Sequence, residues 1–256
     1  MKIYNAKAII SGDVIEVIEY GKEIFKDIET DRIRTGRSTK ADEAEQESNR
    51  EKVLHRARQE IRRTVAANCG GWRDARGRPF RPKFLTLTFA ENIKDLSVAN
   101  NEFKLFILRL GNKVYDRKNR RCLKYLVIPE FQKRGAVHYH VIFFNLPYIP
   151  WETIRACWSH GDITINAIDE VDNIGAYVSK YLSKDLCDER LKGRKCYFKS
   201  KGLLQSQVVE FNTNTREGKK ELETVLHTAQ AIAKRTYQVE YQSDYLDNII
   251  YRQYTL

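Results

Sequence analysis

"LKYLVIPEFQKRGAVHYHVIFFN", residues 123–145, decides the reading of the fold. Two short apolar runs, 123–131 and 136–145, are rich in β-branched and aromatic residues and flank the link "QKRG" at 132–135. Runs of that length and composition around a glycine-bearing link predict two strands folded back on each other. Working outward, "KFLTLTF" (83–89) and "GDITINAI" (161–168) are further strands. "NNEFKLFILRLGNKVY" (100–115), "WETIRACW" (151–158) and "VDNIGAYVSKYLSKDL" (171–186) carry helical spacing. The order β-α-β-β-α-β-α predicts an α+β fold, a central and mainly antiparallel sheet with helices packed on it.

On the N-terminal side, residues 3–19 alternate apolar and polar around "SGD" and predict a hairpin. From about residue 40 to 67 the chain runs from acidic early turns to basic later ones, as a helix dipole favours. Val53, Leu54, Ala57, Ile61 and Val65 form its narrow apolar stripe. "CGGWRDARGRPFRPK" (69–83) is a loop rich in Gly, Pro and Arg. Beyond residue 187 the chain is basic, and from about 219 it reads as a helix followed by a Tyr-rich tail of no assigned structure. The expected division is an accessory extension at 1–70, a core at 71–205 and a helical or tail extension at 206–256.

The chain has 256 residues, with 45 lysines and arginines against 34 aspartates and glutamates. A net charge of +11 favours a polyanionic partner, nucleic acid or an anionic membrane surface. No apolar run approaches the roughly 18 residues needed to cross a bilayer, and the N-terminus lacks the pattern of a secretion signal. The five cysteines are odd in number and form no CxxC pair, which suits free thiols in a reducing cytoplasm.

His138 and His140 are one residue apart on the second strand of the hairpin, so both side chains face the same way while Tyr139 faces the other. Their Cα atoms stand about 6–7 Å apart by strand rise, close enough to converge on one ion. The link turns the chain back and brings Glu130 beside them. Two imidazoles and one carboxylate form a three-ligand set with open positions, the pattern of a catalytic metal centre. Mixed nitrogen and oxygen donors suit Mn²⁺ or Mg²⁺ aided by phosphate oxygens, and leave zinc or cobalt open. A His-x-His on a strand is equally at home as a pair of ordinary core or surface residues.

In "AYVSKYLSKD", Tyr177 and Tyr181 share one helical face, as do Lys180 and Lys184. A phenol of pKa near 10 is a poor nucleophile at neutral pH. A neighbouring ammonium and a metal-bound phosphate both favour its ionised form. On an isolated amphipathic helix the same residues would be aromatic core positions with solvated lysines.

Taken in order, the strand "FLTLTF", the segment "EFQKRGAVHYH" and the doubled Tyr-x-x-Lys of "YVSKYLSK" resemble three motifs of the HUH endonucleases that start rolling-circle replication. The resemblance is to the two-tyrosine initiators of single-stranded DNA phages and related plasmids. It runs from Lys83 to Asp185, with a weaker echo in "FKSKGLL"; residues 1–70 carry no such motif. It implies a ferredoxin- or RRM-like core. Glu130, His138 and His140 would hold a divalent metal, Mn²⁺ or Mg²⁺, against the scissile phosphate. Tyr177 or Tyr181 would form a 5′-phosphotyrosine and free a 3′-OH, the second tyrosine cutting again after one round; if only one acts, Tyr177 is the choice. Lys180 and Lys184 would steady the charge at the phosphate.

Basic clusters bracket these motifs: Arg73, Arg76, Arg78 and Arg81 before them, and Lys192, Arg194, Lys195, Lys199 and Lys201 after them. Trp72, Phe80, Tyr197 and Phe198 are interleaved as candidate stacking partners for unpaired bases. The expected partner is single-stranded DNA at a replication origin, which a hairpin could present, in the cytoplasm of a bacterial host. No Walker A motif is present, so unwinding and extension would fall to host helicase and polymerase. A relaxase or transposase of the same chemistry is the nearest alternative. A non-catalytic α+β domain that binds single-stranded nucleic acid is the alternative from another class.

Overall fold

Ten strands and four helices fill the described part of the chain, residues 2–26, 43–115, 122–167, 188–191 and 193–256 of a computed structural model. The helix predicted over 171–186 lies outside the described residues. Contacts divide the chain into two compact units, one of residues 53–204 and one joining 1–52 to 205–256.

The 53–204 unit is built on the quoted hairpin. Strands β4 (Tyr125–Phe131) and β5 (Val137–Phe143) pair antiparallel, with Glu130 opposite His138 and Ile128 opposite His140. Gly135 holds φ +87 in the link, a conformation that glycine adopts without steric cost. The Arg134 guanidinium donates to the carbonyls of Phe89 and Ala90 and so ties the link to the end of β3 (Lys83–Thr88). β3 pairs with β5 on one side and β6 (Ile163–Ala167) on the other, and β7 (Phe198–Lys199) pairs with β4. The sheet order is β6-β3-β5-β4-β7, antiparallel at every pairing, as the sequence predicts.

Alternation gives this sheet two different faces. Leu85, Leu87, Val127, Tyr139, Val141 and Phe143 share one core with Phe103, Phe106 and Leu110 of α2 (Leu96–Val114) and Ile154 and Trp158 of α3 (Trp151–Trp158). Leu126, Ile128, Ile142 and Phe144 share another with Ile61 and Val65 of α1 (Glu43–Asn68). The α1 stripe is narrower than its sequence suggests, because Val53 is 58% exposed while Ala57, Ile61 and Val65 are buried. Gly161 sits where a Cβ would lie 2.3 Å from the Thr88 carbonyl oxygen, so the chain can pass β3 this closely only without a side chain.

In the other unit, β1 (Lys2–Ser11), β2 (Val14–Lys26), β8 (Gln207–Phe211), β9 (Arg235–Ser243) and β10 (Asp247–Thr255) form an antiparallel sheet of order β8-β1-β2-β10-β9. Ala6, Ala8, Val17, Phe211 and Tyr254 pack with Leu222 and Ala229 of α4 (Arg216–Ile232). The Tyr-rich tail thus resolves into the β9–β10 hairpin. Thr215 caps α4 by accepting from the Gly218 N–H.

Candidate metal centre

The triad lies at one end of the sheet face that α1 covers farther along. Leu126 and Ile128 of β4 meet α1, and two residues beyond Ile128 on the same face stands Glu130. On β5, Ile142 meets α1, while His140 and His138 continue that face past the apolar cluster. Facing register therefore delivers the carboxylate and both imidazoles to one place. His140 Nε2 lies 2.5 Å from Glu130 Oε2, and His138 Nδ1 lies 3.9 Å from the same oxygen. One ligand atom from each residue falls within 4.8 Å of the others. All three side chains are part-buried, 16–26% exposed.

The remaining ring nitrogens are held by β3. Thr88 Oγ1 is 2.9 Å from His138 Nε2, and Thr86 Oγ1 is 3.2 Å from His140 Nδ1. The register makes this possible, since Thr88 pairs with His138 and Thr86 with His140. A tautomer that donates each of these ring N–H groups to its threonine oxygen leaves the other nitrogen's lone pair for an ion, the support that metal-bound histidines commonly have. Phe84 stacks on the His140 ring at 5.5 Å between centroids and restrains it further. Burial above all, with His140 and Arg134 nearby, lowers the His138 pKa to about 4 against the opposing pull of Glu130, so its imidazole is neutral at physiological pH.

The donor set fits a divalent cation. A carboxylate oxygen and two imidazole nitrogens facing one point are satisfied by a shared cation, and donors at about 2.0–2.2 Å from an ion can span the observed separations after small rotations. Three protein ligands would leave coordination positions for oxygens of a substrate or water. The threonines are absent from the residues singled out by sequence. Their signal was the alternation of "FLTLTF", which puts Thr86 and Thr88 on one face.

Residues 82–186 match the family model for replication-associated proteins of the ORF2 type. That span holds the candidate metal centre and all of β3 to β6. The chain is also similar to "Replication-associated protein VP4" of Bdellovibrio phage phiMH2K, 33% identical over 123 residues, covering 40% of this chain and 38% of that protein. The chain therefore spans well under half the length of this curated relative. No solved structure matches it.

Tyr177, Tyr181, Lys180 and Lys184 lie outside the described residues, so the geometry brings together Glu130, His138 and His140 of the predicted site. Of the basic residues, Arg78 is tied to Asp74, with Nε 2.9 Å from Oδ2, and Arg73 donates to the Gly77 carbonyl. Lys199 Nζ is 2.7 Å from Glu60 Oε1. Arg76, Arg194 and Lys195 are exposed, and Arg81 lines a groove described below. Phe198 is half-buried, packed against the core with its ring 5.3 Å from Phe103, and Trp72 lies under Lys124 with its indole N–H on Asn68. Among the described residues no helix is long and apolar enough to cross a membrane, and Cys157 and Cys196 are free thiols.

Proposed function

We propose that the chain is a metal-dependent, site-specific single-strand DNA endonuclease and strand transferase that nicks a replication origin and initiates rolling-circle replication. The observation that carries this reading is the Glu130–His138–His140 set, built on facing strands inside the span that matches replication-associated proteins. A divalent ion bound there, Mn²⁺ or Mg²⁺, would supply Lewis acidity toward a phosphate oxygen. Glu130, His138 and His140 would hold it, with Thr86 and Thr88 fixing the imidazoles.

The nucleophile is assigned from the resemblance of "YVSKYLSK". The phenol oxygen of Tyr177 or Tyr181 bonds to phosphorus and the P–O3′ bond breaks. The phenolic proton passes through solvent to the leaving 3′ oxygen. The products are a 5′-phosphotyrosine, which conserves the bond energy for rejoining, and a 3′-OH that a host polymerase can extend. The second tyrosine would make the same attack after one round of copying. Lys180 and Lys184 favour the phenolate and offset charge at the phosphate. A host helicase would open the duplex, and the reaction would occur in the cytoplasm of a bacterial host.

Incubation with Mn²⁺ and labelled single-stranded DNA bearing candidate origins tests this directly. A protein–DNA adduct that survives denaturation is expected, lost on chelation and lost in the double variant Tyr177→Phe/Tyr181→Phe. An adduct that persists in that variant would overturn the tyrosine mechanism, and absence of any adduct across origin-bearing substrates would overturn the nuclease reading.

A further inference from the structure

A groove of about 760 Å³ lies where β3 begins, walled by Arg78, Phe80, Arg81 and Lys83 on one side and by Pro147 and Tyr148 on the other. We infer that this groove is a stacking site for an unpaired base of single-stranded DNA, with Tyr148 as the stacking ring and its cations on the adjoining phosphates. The inference rests on the proposed DNA substrate and extends it to a subsite remote from the chemistry.

Tyr148 is the first observation. The residue is 88% exposed, so this large ring contributes almost nothing to the core. Prolines at 147 and 150 restrict the backbone around it, which lowers the entropy lost when a ligand stacks on the ring.

The second observation is that the walls are built in advance. Asp74 Oδ1 accepts from the backbone N–H groups of Arg76 and Arg78 at 2.8 and 2.9 Å, and its Oδ2 accepts from the Arg78 guanidinium. The Phe80 N–H donates to the Trp72 carbonyl at 2.9 Å and closes that loop. Lys83 Nζ donates to the Leu146 carbonyl at 2.5 Å and so links the two walls.

Charge selects the occupant. Three cations line the groove against one carboxylate, Asp74, which is already paired with Arg78. Of the chain's 45 lysines and arginines and 34 aspartates and glutamates, 29 and 15 fall within residues 53–204. That unit thus carries a surplus of 14 positive charges, and a polyanion suits it better than a peptide. An exposed ring beside cations suits a strand whose bases are free to stack, whereas bases in a duplex are already stacked.

Position separates this site from the metal centre. Lys83 pairs with Phe143 at one end of β3, and Thr88 pairs with His138 at the other. Five residues at a rise of about 3.3 Å put the two roughly 17 Å apart. The groove therefore holds DNA away from the reacting phosphate and contributes to register and affinity.

Fluorescence anisotropy with a fluorescein-labelled single-stranded DNA of mixed sequence, in EDTA so that no strand is cut, tests the site. Tyr148→Ala should weaken binding about tenfold, while Tyr148→Phe, which keeps the ring, should bind like the parent. Binding of the same sequence as a duplex should not respond to Tyr148→Ala. Because the residue is exposed, an unchanged melting temperature confirms that the variant is folded. Wild-type affinity of Tyr148→Ala for the single strand would overturn the inference, even if the adduct experiment succeeds. Conversely, Tyr148-dependent binding without any adduct would keep the groove and overturn the nuclease reading.

Discussion

At the scale of single residues, the candidate metal centre includes two hydroxyls as well as its three possible ligands. Thr88→Val preserves the branched shape that suits a strand but removes the oxygen 2.9 Å from His138 Nε2. The imidazole then loses its fixed tautomer and orientation. Mn²⁺ affinity measured by calorimetry should fall about 10- to 100-fold, with little change in melting temperature. An unchanged affinity would remove Thr88 from the site. Strand alternation alone placed both histidines on one face and left Tyr139 to the core, where its hydroxyl donates to Asn100. It also puts Thr86 and Thr88 on one face of β3, but their place beside the histidines exists only once β3 and β5 pair in register. A second residue-scale case lies at Glu210, where Lys2 and Lys26 approach its carboxylate at 2.9 and 3.0 Å and hold its pKa below the ordinary value. A depressed carboxyl stabilises the fold above its unfolded pKa, and that contribution disappears as pH falls through the folded value. The lysines are half exposed, so screening limits the contribution to about 0.5–1 kcal/mol. Glu210→Gln should therefore cost about that much in urea unfolding at neutral pH and nothing in strong acid. A penalty independent of pH would mean that packing, and not charge, is responsible.

At the scale of elements, α1 gives the sharpest contrast. Ile61 is 1% exposed among Leu126, Ile128 and Ile142, whereas Val53 on the same helix stands in solvent. Ile61→Ala should destabilise by about 2–5 kcal/mol, through lost burial and the cavity left behind. Val53→Ala should stay within about 0.5 kcal/mol. Equal penalties in denaturant titrations would contradict the packing of α1 on the sheet. Strands β3 to β6 and helices α2 and α3 were legible because each carries its own period. Partnership was harder to read. "RTYQVEYQS" and "DNIIYRQYT" of the other unit pair with each other, and the second also pairs with β2, more than 200 residues away, which no local signal encodes. The aromatic Phe198 illustrates the same limit. Set among lysines, it reads as a surface stacking residue, and the pairing of β7 with β4 half-buries it against the core beside Phe103.

At the scale of the molecule, the net charge of +11 conceals an uneven partition. Residues 53–204 hold 29 of 45 basic and 15 of 34 acidic residues, leaving the other unit with 16 against 19. The surplus thus sits in the unit that carries the candidate metal centre and both grooves, the second of them about 650 Å³ and lined by Arg56, Arg194, Lys195 and Lys199 with Glu60. Binding to single-stranded DNA should weaken linearly in log–log form as salt is raised, by about 0.7 per phosphate neutralised. Removing Arg194 and Lys195 together should make that slope shallower by about 1.4 if each meets one phosphate. Lys199→Ala should change it less, because that ammonium already faces Glu60 at 2.7 Å and gives up this pairing to reach DNA. Lys220→Ala, from the helix of the acidic unit, should leave the slope unchanged. Anisotropy titrations across a salt series decide the matter. A slope that responds to Lys220 and ignores Arg194 and Lys195 would place the DNA on the other unit, and with it would fall the link between charge and the metal centre.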